Sequence, residues 1–567
     1  MLARLRTWLN RHPFEVFVLL LALLPQIYLS LSNPNTILDW YNSDDGFYYF
    51  QAARNLAEGY GFTFDRINPT NGFHPLWLFL ITPVFALAQS DVLLPLRVLM
   101  LLSALISAGS AILLYRLLLR QGAGPGGALA GLLWIIVPRI HDLVLHSGTE
   151  AGLNAFCLLL FWAALVRTPA VRGGRLNLGG LLALGGLASL AVLARLDNVF
   201  FVAAGGIWLW LRSWQPPNSP VLQGNPWAWR FQVAAAFLAP VALTLAAYVA
   251  WNLLAFGTAT PVSGQVKLWW GTLRNTAYGF PVKNWVDFGG QFFTDHPELG
   301  PWSLATASLY AAAEGLLTWL GQAVSVPARR MALLALGGIL AALAGGLVWA
   351  ERKFVRSAAV SLGLLPFFVG CFLQIAYYKF GGSVAQQPWY WMAQMIWLLF
   401  GLGLLLAALL RWLGRVLPAA GRLAPVLGGL AALGLTLFYL GHLQGAIRQP
   451  GDGSNHFYLH RARWLQANVE PGARVAITGS GNLGYFSQGI TIVNMDGLMN
   501  TVDYLHALQA ERGAQYLAEL GVDYIFGNEY ILTQTNPYGP MLEGHLQPYS
   551  QYLFGEDRVL PLWRFVP

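Results

Sequence analysis

Apolar runs recur along this chain, and no other feature narrows its fold so much. A helix needs about 20 largely apolar residues to traverse the hydrocarbon core of a bilayer. Such runs lie near 14–31, 92–119, 178–195, 230–256, 331–350, 357–378, 388–410 and 424–443. Shorter ones lie near 126–140, 150–166 and 198–213, and two ambiguous ones at 74–88 and 303–322. Charged residues are only 11 % of the 567 and hydrophobic residues 56 %, whereas a soluble domain carries about a quarter charged. The chain therefore reads as a polytopic α-helical membrane protein with 11–13 transmembrane helices.

Basic residues set the topology. If 74–88 and 303–322 are interfacial or re-entrant, eleven crossings put every Arg/Lys cluster on one side. Those clusters are Arg4/Arg6/Arg11, Arg116/Arg120, Arg167/Arg172/Arg175, Arg212/Arg230, Arg352/Lys353/Arg356 and Arg411/Arg415/Arg422. If both segments cross, the count is thirteen and Arg116 and Arg120 move outside. We adopt eleven, by the positive-inside rule. Either count is odd, so a cytoplasmic N-terminus places the C-terminus outside. The first run is too long for a signal h-region and lacks a small-x-small cleavage site, so it reads as a retained helix. The formal charge of +8 is accounted for by these clusters and does not imply a nucleic-acid partner. Cys157 and Cys371 fall inside apolar segments and read as small core residues. The expected location is an inner bacterial membrane, crossed many times.

This topology leaves the polar residues facing outward. They occupy the loop 32–73, the turn "PRIHDLVLHSGTEAGL" (138–153), the junction "ARLDN" (194–198), the loop 257–302 and "KFGGSVAQQPWYW" (379–391). Residues 1–449 thus form a membrane domain. After the linker-like "RQPGDGSNHF", residues 450–567 alternate helix-like and strand-like stretches and read as a small external α/β domain. Within it "GSGNLG" (479–484) matches a dinucleotide-binding fingerprint after the strand "RVAIT". Only "YFSQG" separates it from the next strand, "ITIVNMD", too few residues for a crossover helix. Dinucleotide binding is rejected on that ground.

Chemistry is concentrated in "WYNSDDGFYYFQAARNLAEGYGF" (40–62). Ser43, Asp44 or Asp45 can cap the helix that follows. Two adjacent carboxylates exceed the needs of one cap, and an acid at a membrane interface is costly without a role. As a general base, one could take a proton from a hydroxyl as its oxygen attacks a sugar carbon.

The early "DD", the helix "FYYFQAARNLAEGYGFTFD" and "NPTNGFHPLW" entering a second helix resemble the GT-C superfamily of polytopic glycosyltransferases. So do "HSGTEAGL", "ARLDN" and "GYFSQGITIVNMDGLMN". Its members include protein mannosyltransferases, the aminoarabinose transferases of lipid A and mycobacterial arabinofuranosyltransferases. The resemblance implies a polyprenyl-phosphate sugar donor, a glycan, lipid or protein acceptor, and transfer at the outer face. It implies a catalytic base at Asp44, with Asp45 as its neighbour. The family motif varies, so the choice between the two stays open.

Release of a lipid phosphate calls for positive charge or N–H donors. The outward cations are Arg195, Lys267, Arg139, His74 and Lys379, and each could instead snorkel or pair with an acid such as Asp197 or Asp142. Lys267 ends the Gly/Ser/Thr-rich "FGTATPVSGQVK" and is the first choice for phosphate. Arg195 with Asp197 comes next. In "TNGFHPLW", Pro75 suits a helix start, and His74 with Trp77 can serve either the interface or a substrate. Tyr48, Glu150, His146 and Gln387 complete the substrate-binding set. No HExxH, CxxC or Walker-type sequence occurs. No metal ligands are assigned and no cofactor is required, although a divalent metal is compatible with the acids.

The expected function is an inverting transfer of a sugar from a lipid-phosphate donor to a hydroxyl acceptor. A transporter or flippase of lipid-linked sugars is the alternative, and would be expected to hold polar residues at mid-membrane on broken, repeated helices. A non-catalytic scaffold binding a cell-envelope partner leaves the acidic pair unexplained.

Overall fold

Each of the thirteen apolar segments is helical in the computed structural model, which describes residues 11–89, 91–172, 175–213, 226–281, 300–321, 324–446, 451–553 and 559–567. The helices up to the first break are α1 (Pro13–Ser30), α2 (Pro34–Trp40), α3 (Asp44–Ala57), α4 (Pro75–Ala88), α5 (Leu94–Leu119) and α6 (Gly124–Ile136). Next come α7 (Pro138–His141), α8 (Ala151–Leu165), α9 (Leu178–Ala194), α10 (Val199–Arg212), α11 (Pro226–Phe256) and α12 (Val262–Trp270). The last six of the bundle are α13 (Ser303–Trp319), α14 (Val326–Ala350), α15 (Arg352–Leu362), α16 (Leu364–Phe380), α17 (Met392–Val416) and α18 (Pro418–Ala446). Of the sequence expectations, Arg4, Arg6, residues 282–299 of the 257–302 loop and residues 447–450 of the linker lie outside the described residues.

Among the described residues, five helical stretches are long and apolar enough to cross a membrane: α1, α5, α11, α14 and Pro388–Val416. Two bent pairs raise this to seven. The sequence count of eleven took each apolar run other than 74–88 and 303–322 as one straight crossing. Local chemistry breaks two of them. Pro138 lacks an N–H to continue α6, and the chain turns by 59° into α7 and a π-helical turn, Asp142–His146. Gly363, at φ 63°, ends α15 and starts α16 with a bend of 60°. Helices α4, α8 and α9 are apolar but shorter than 18 residues. Outward-facing Leu334, Ile339, Leu340 and Leu343 on α14 are exposed, as suits a lipid-facing helix.

The C-terminal part forms a five-stranded sheet of β1 (Arg474–Ile477), β2 (Thr491–Asn494), β3 (Tyr524–Phe526), β4 (Leu546–Leu553) and β5 (Val559–Phe565). Their order is β2-β1-β3-β5-β4, with β1 parallel to β2 and β3, and the β3–β5 and β5–β4 pairs antiparallel. Helices α19 (Phe457–Asn468), α20 (Gly481–Phe486), α21 (Val502–Gln509) and α22 (Gly513–Glu519) pack around it. Residues 501–520 form two helices, parted at Ala510–Arg512. The β4–β5 hairpin was not anticipated, since its residues lack a clean alternation.

This sheet domain is seated on the bundle through α3. Tyr458 on α19 donates to the carbonyl of Tyr41, and Arg54 donates to the carbonyl of Tyr485 while its guanidinium lies over that ring. Phe47, Phe50, Phe85, Tyr485 and Phe486 form a continuous aromatic contact between the two parts.

Candidate active site

Helix α3 opens on the acidic pair, yet neither acid caps its own helix, and Ser43 makes no side-chain cap either. Asp44 caps a different helix. Its carboxylate accepts the backbone N–H of Gly481 at 2.9 Å and of Asn482 at 2.7 Å, and the Asn482 side-chain amide at 2.6 Å. These are the free donors at the start of α20. The "GSGNLG" residues are thereby explained. A Cβ on Gly481 would lie 2.2 Å from the Asp44 carbonyl oxygen, and one on Gly484 would lie 2.2 Å from the Phe64 ring. Gly479, at φ 59°, directs its N–H to Asp496 at 3.0 Å. The fingerprint is a seat for α3, with its donors taken by protein carboxylates.

Asp45 is placed differently. It lines a cavity of about 450 Å³ between the bundle and the sheet domain and makes no hydrogen bond to any described residue. Tyr48 and Tyr49 lie three and four residues further on, hence on the same face of α3, and both reach the cavity. Tyr48 donates to Asp496 at 3.2 Å and accepts from the N–H of Ser480 and the Asn494 amide. Tyr49 donates to Glu150 at 2.9 Å and accepts from the His74 N–H.

The opposite wall is built around Arg195, the C-cap of α9, which is 2 % exposed. Its guanidinium grips both oxygens of Asp197 at 3.1 Å, donates to Glu150 at 2.5 Å and to Tyr378 at 3.1 Å, and lies 4.3 Å over the Tyr390 ring. Tyr378 and Gln374 donate to Asp197, each at 2.9 Å. Arg195 is thus neutralised by two carboxylates, and four of its five N–H donors are spent within the wall.

Lys267 is the contrasting cation. It belongs to α12, whose first N–H, that of Val262, is held by the Asn71 side chain at 2.9 Å. Asn71 also donates to Asn252 at 2.7 Å. Gly72 beside it lies against the Leu498 carbonyl, where a Cβ would sit 1.9 Å away. The Lys267 ammonium donates to the Tyr390 hydroxyl at 2.7 Å and to the Ala385 carbonyl at 3.3 Å. It has no carboxylate within 4 Å among the described residues, so one of its three donors faces the cavity unused.

The electrostatics follow this division. Burial pushes Asp45 up to about 6, the Lys267 charge pulling against it and Asp44, Asp496 and Glu150 adding to it. Burial also raises Asp44, despite the backbone N–H groups of Asn482 and Gly481. Glu150 stays below its usual range: burial opposes ionisation, but His74 and Arg195 outweigh it. Burial lowers His74, against the pull of Glu150 at 3.7 Å, and its buried Nδ1 has no partner among the described residues. Burial likewise works against the Lys267 charge, yet Tyr390 and Asp45 hold the ammonium above its ordinary value.

Of the residues named from sequence, Asp45, Tyr48, His74, Glu150, Arg195, Asp197 and Lys267 meet in this cavity. Asp44 stands behind the wall as a domain clasp. His146 does not line the cavity; its ring packs on Trp40 at 3.9 Å, because the π-helical turn carries it away from Glu150. Gln387 is also outside, at the head of the 3₁₀ turn Pro388–Trp391, whose Trp389 and Tyr390 supply the lining instead. Arg139 and Lys379 do not reach it. Trp77 is no interfacial anchor; it is buried and donates to the Gly148 carbonyl at 3.1 Å. Sequence reading passed over Asn71, Tyr378, Gln374 and the role of Asp496. The tyrosine of "YYKF" and the asparagine of "TNGF" were the visible signals.

A family model described as a domain of unknown function (DUF8728) matches residues 449–559. No curated protein matches. Among solved structures, the apo oligosaccharyltransferase of Archaeoglobus fulgidus superposes with a TM-score of 0.51 at 15 % identity, covering 96 % of this chain and 74 % of that one. Apo ArnT of Cupriavidus metallidurans superposes with a TM-score of 0.51 at 14 % identity, covering 99 % and 98 %. Both neighbours are GT-C glycosyltransferases.

Proposed function

Starting from the GT-C fold that this chain shares with those two enzymes, we propose that it is a membrane glycosyltransferase using a polyprenyl-phosphate sugar donor. One observation carries the reading. The Asp45 carboxylate, free of hydrogen bonds to the described residues, shares a cavity with the Lys267 ammonium, which gives two of its three donors to those residues.

The chemistry is a single displacement. The acceptor hydroxyl oxygen attacks the anomeric carbon while Asp45 takes its proton. The bond from that carbon to the phosphate oxygen breaks, and the lipid phosphate leaves with the electron pair. Inversion at the anomeric carbon follows from one in-line step. Lys267 meets the developing negative charge with a charge-assisted hydrogen bond. A base near 6 suits this work, since an acid of that strength is mostly ionised at neutral pH yet still accepts a proton readily. Tyr49 and Arg195 hold Glu150, and Arg195 holds Asp197, so the remaining cavity carboxylates brace the wall and leave Asp45 to react.

ArnT has also been solved with undecaprenyl phosphate and the archaeal enzyme with a dolichol-phosphate. For this chain the lipid donor rests on its own residues. Tyr377 and Leu268, exposed and apolar, flank the cavity together with Val199 and Phe200, which suits an isoprenoid tail arriving from the side of the bundle. We place the reaction at the non-cytoplasmic face, where the positive-inside reading puts these loops.

The test is purified protein incubated with polyprenyl-phosphate sugars. Asp45→Asn is expected to lower donor turnover by about 10²–10⁴-fold, the usual worth of a general base, with donor binding retained. Turnover unchanged in Asp45→Asn would remove Asp45 as the base. Donor binding with no turnover in the unaltered protein, across sugars and acceptors, would favour a lipid-sugar flippase.

A further inference from the structure

Three histidines surround one aspartate on the far side of Trp40 from the cavity, and the mechanism above uses none of them. His141 and Asp142 end α7 and begin the π-helical turn, His146 closes that turn, and His442 comes from α18. The ligand atoms of His141, Asp142 and His146 lie within 4.8 Å of one another, and His442 approaches this trio on the side of Asp142. His141 Nδ1, His442 Nε2 and His146 Nε2 lie 3.8, 3.9 and 4.0 Å from Asp142 Oδ1. Those separations are too long for hydrogen bonds. They are close to the edge of a coordination tetrahedron, since ligands at about 2.0 Å from a zinc ion sit about 3.3 Å apart. A contraction of about half an ångström would bring His141 and His146 to that spacing from Asp142, and His442 would complete the set by turning its ring inward.

The polar atoms themselves ask for a ligand. His141 Nδ1 and His146 Nε2 are buried and accept or donate no hydrogen bond, an arrangement that costs free energy unless something fills it. Outer contacts already fix the rings. His141 Nε2 pairs with the Tyr439 hydroxyl at 3.1 Å, leaving Nδ1 for the convergent point. His146 stacks on Trp40. Asp142 and His442 are partly exposed, so an ion has an entry path. A π-helical turn at this place is itself uncommon and gathers at functional sites.

We propose that His141, Asp142, His146 and His442 bind one divalent cation of the zinc class, three imidazole nitrogens and one carboxylate oxygen being the donor set such ions favour. The site is a structural clamp. It ties α18, which leads to the sheet domain, to the turn whose His146 carbonyl accepts the Asn42 N–H at 3.2 Å, two residues before the acidic pair. An ion there would fix the entry of α3 from behind.

The full chain in detergent, stripped with chelator and titrated with zinc and with cobalt(II), tests this. About one equivalent is expected to bind, with the visible absorption of four-coordinate cobalt and an upward shift in the thermal midpoint. His442→Gln, on an exposed side chain that the fold does not need, is expected to weaken the metal at least tenfold. Tyr439→Phe, which touches only the outer contact, should weaken it by about 10–100-fold. Absence of stoichiometric binding by the unaltered chain, or equal binding by His442→Gln and Asp142→Asn, would overturn the proposal.

Discussion

Arg195 and Lys267 carry the same charge on two walls of one cavity, and their partners give them different work. Arg195 is held between Glu150 and Asp197, its charge balanced by both carboxylates. Removing it strands two buried carboxylates, so Arg195→Met is expected to cost about 3–5 kcal/mol, read as a large loss of thermal midpoint in detergent. Lys267 gives only two hydrogen bonds, to Tyr390 and Ala385. Lys267→Gln should leave the midpoint nearly unchanged and instead raise the donor KM by about 10–100-fold, the worth of a hydrogen bond to a charged group. Asp45 then fixes the pH dependence. Its folded-state value, raised to about 6 chiefly by burial, predicts a turnover that rises with pH to a plateau above that value, since the base must be ionised. The same shift has the opposite sign for stability: the folded chain holds this proton more tightly than the unfolded one, so its contribution falls as pH rises from about 4 to about 6. Lys267→Gln removes a charge that favours ionisation and should move the acidic limb of the pH–rate profile upward.

At the scale of elements, the junction of α3 with α20 decides how the sheet domain sits. Gly481→Ala would press a methyl group onto the Asp44 carbonyl at 2.2 Å, backbone against backbone. It is expected to destabilise by about 1–3 kcal/mol and to open the segment before α19 to limited proteolysis. Asp44→Ala should cost about 1 kcal/mol as a lost cap, with a smaller effect on turnover than Asp45→Asn. This junction also marks where sequence reading stops. Apolar runs located the long helices of the bundle, because membrane solvent demands about 20 apolar residues and internally satisfied backbone, while the short α2, α7 and α12 lay in segments read as loops or a turn. The breaks at Pro138 and Gly363 were not read from the sequence, where 126–140 and 357–378 stood as single runs. The strands "RVAIT" and "ITIVNMD" were legible from β-branched runs between turn residues, but the helix that the spacing was held to exclude is present: α20 connects the parallel strands β1 and β2, and the fingerprint is occupied because Asp44 and Asp496 take its N–H groups. That Asp44 caps a helix more than four hundred residues away was not legible, since cap chemistry reads the same whichever helix supplies the N–H groups. The family pattern pointed to Asp44 with Asp45 as neighbour, and only packing separates a bound carboxylate from a free one. His146 illustrates the same point, because "HSGTEAGL" looks continuous in sequence while the π-helical turn sends its histidine and its glutamate to different sites.

For the whole molecule, the cavity and the sheet domain occupy one end of the bundle and the basic residues the other. Helix α17 runs from the cavity residues Trp389 and Tyr390 to Arg411 and Arg415, which pair with Glu351 beside Arg352 and Lys353. Helix α5 likewise runs from Leu96, whose carbonyl takes the Tyr41 hydroxyl, to Arg116, paired with Glu15 at the start of α1. This polarity turns orientation into a measurable property, because a reaction assigned to the outer face requires the sheet domain to be outside. Cys157 and Cys371 are buried, so an introduced cysteine is the one that reacts. Tyr530→Cys, at a position 62 % exposed on the sheet domain, should be labelled by a membrane-impermeant maleimide in intact spheroplasts. Lys353→Cys, exposed at the basic end, should be labelled only after permeabilisation. The reverse pattern would put Asp45 and Lys267 on the cytoplasmic side, where a donor presented at the outer leaflet could not reach them, and the proposed reaction would have to be abandoned even if the cavity bound a lipid phosphate.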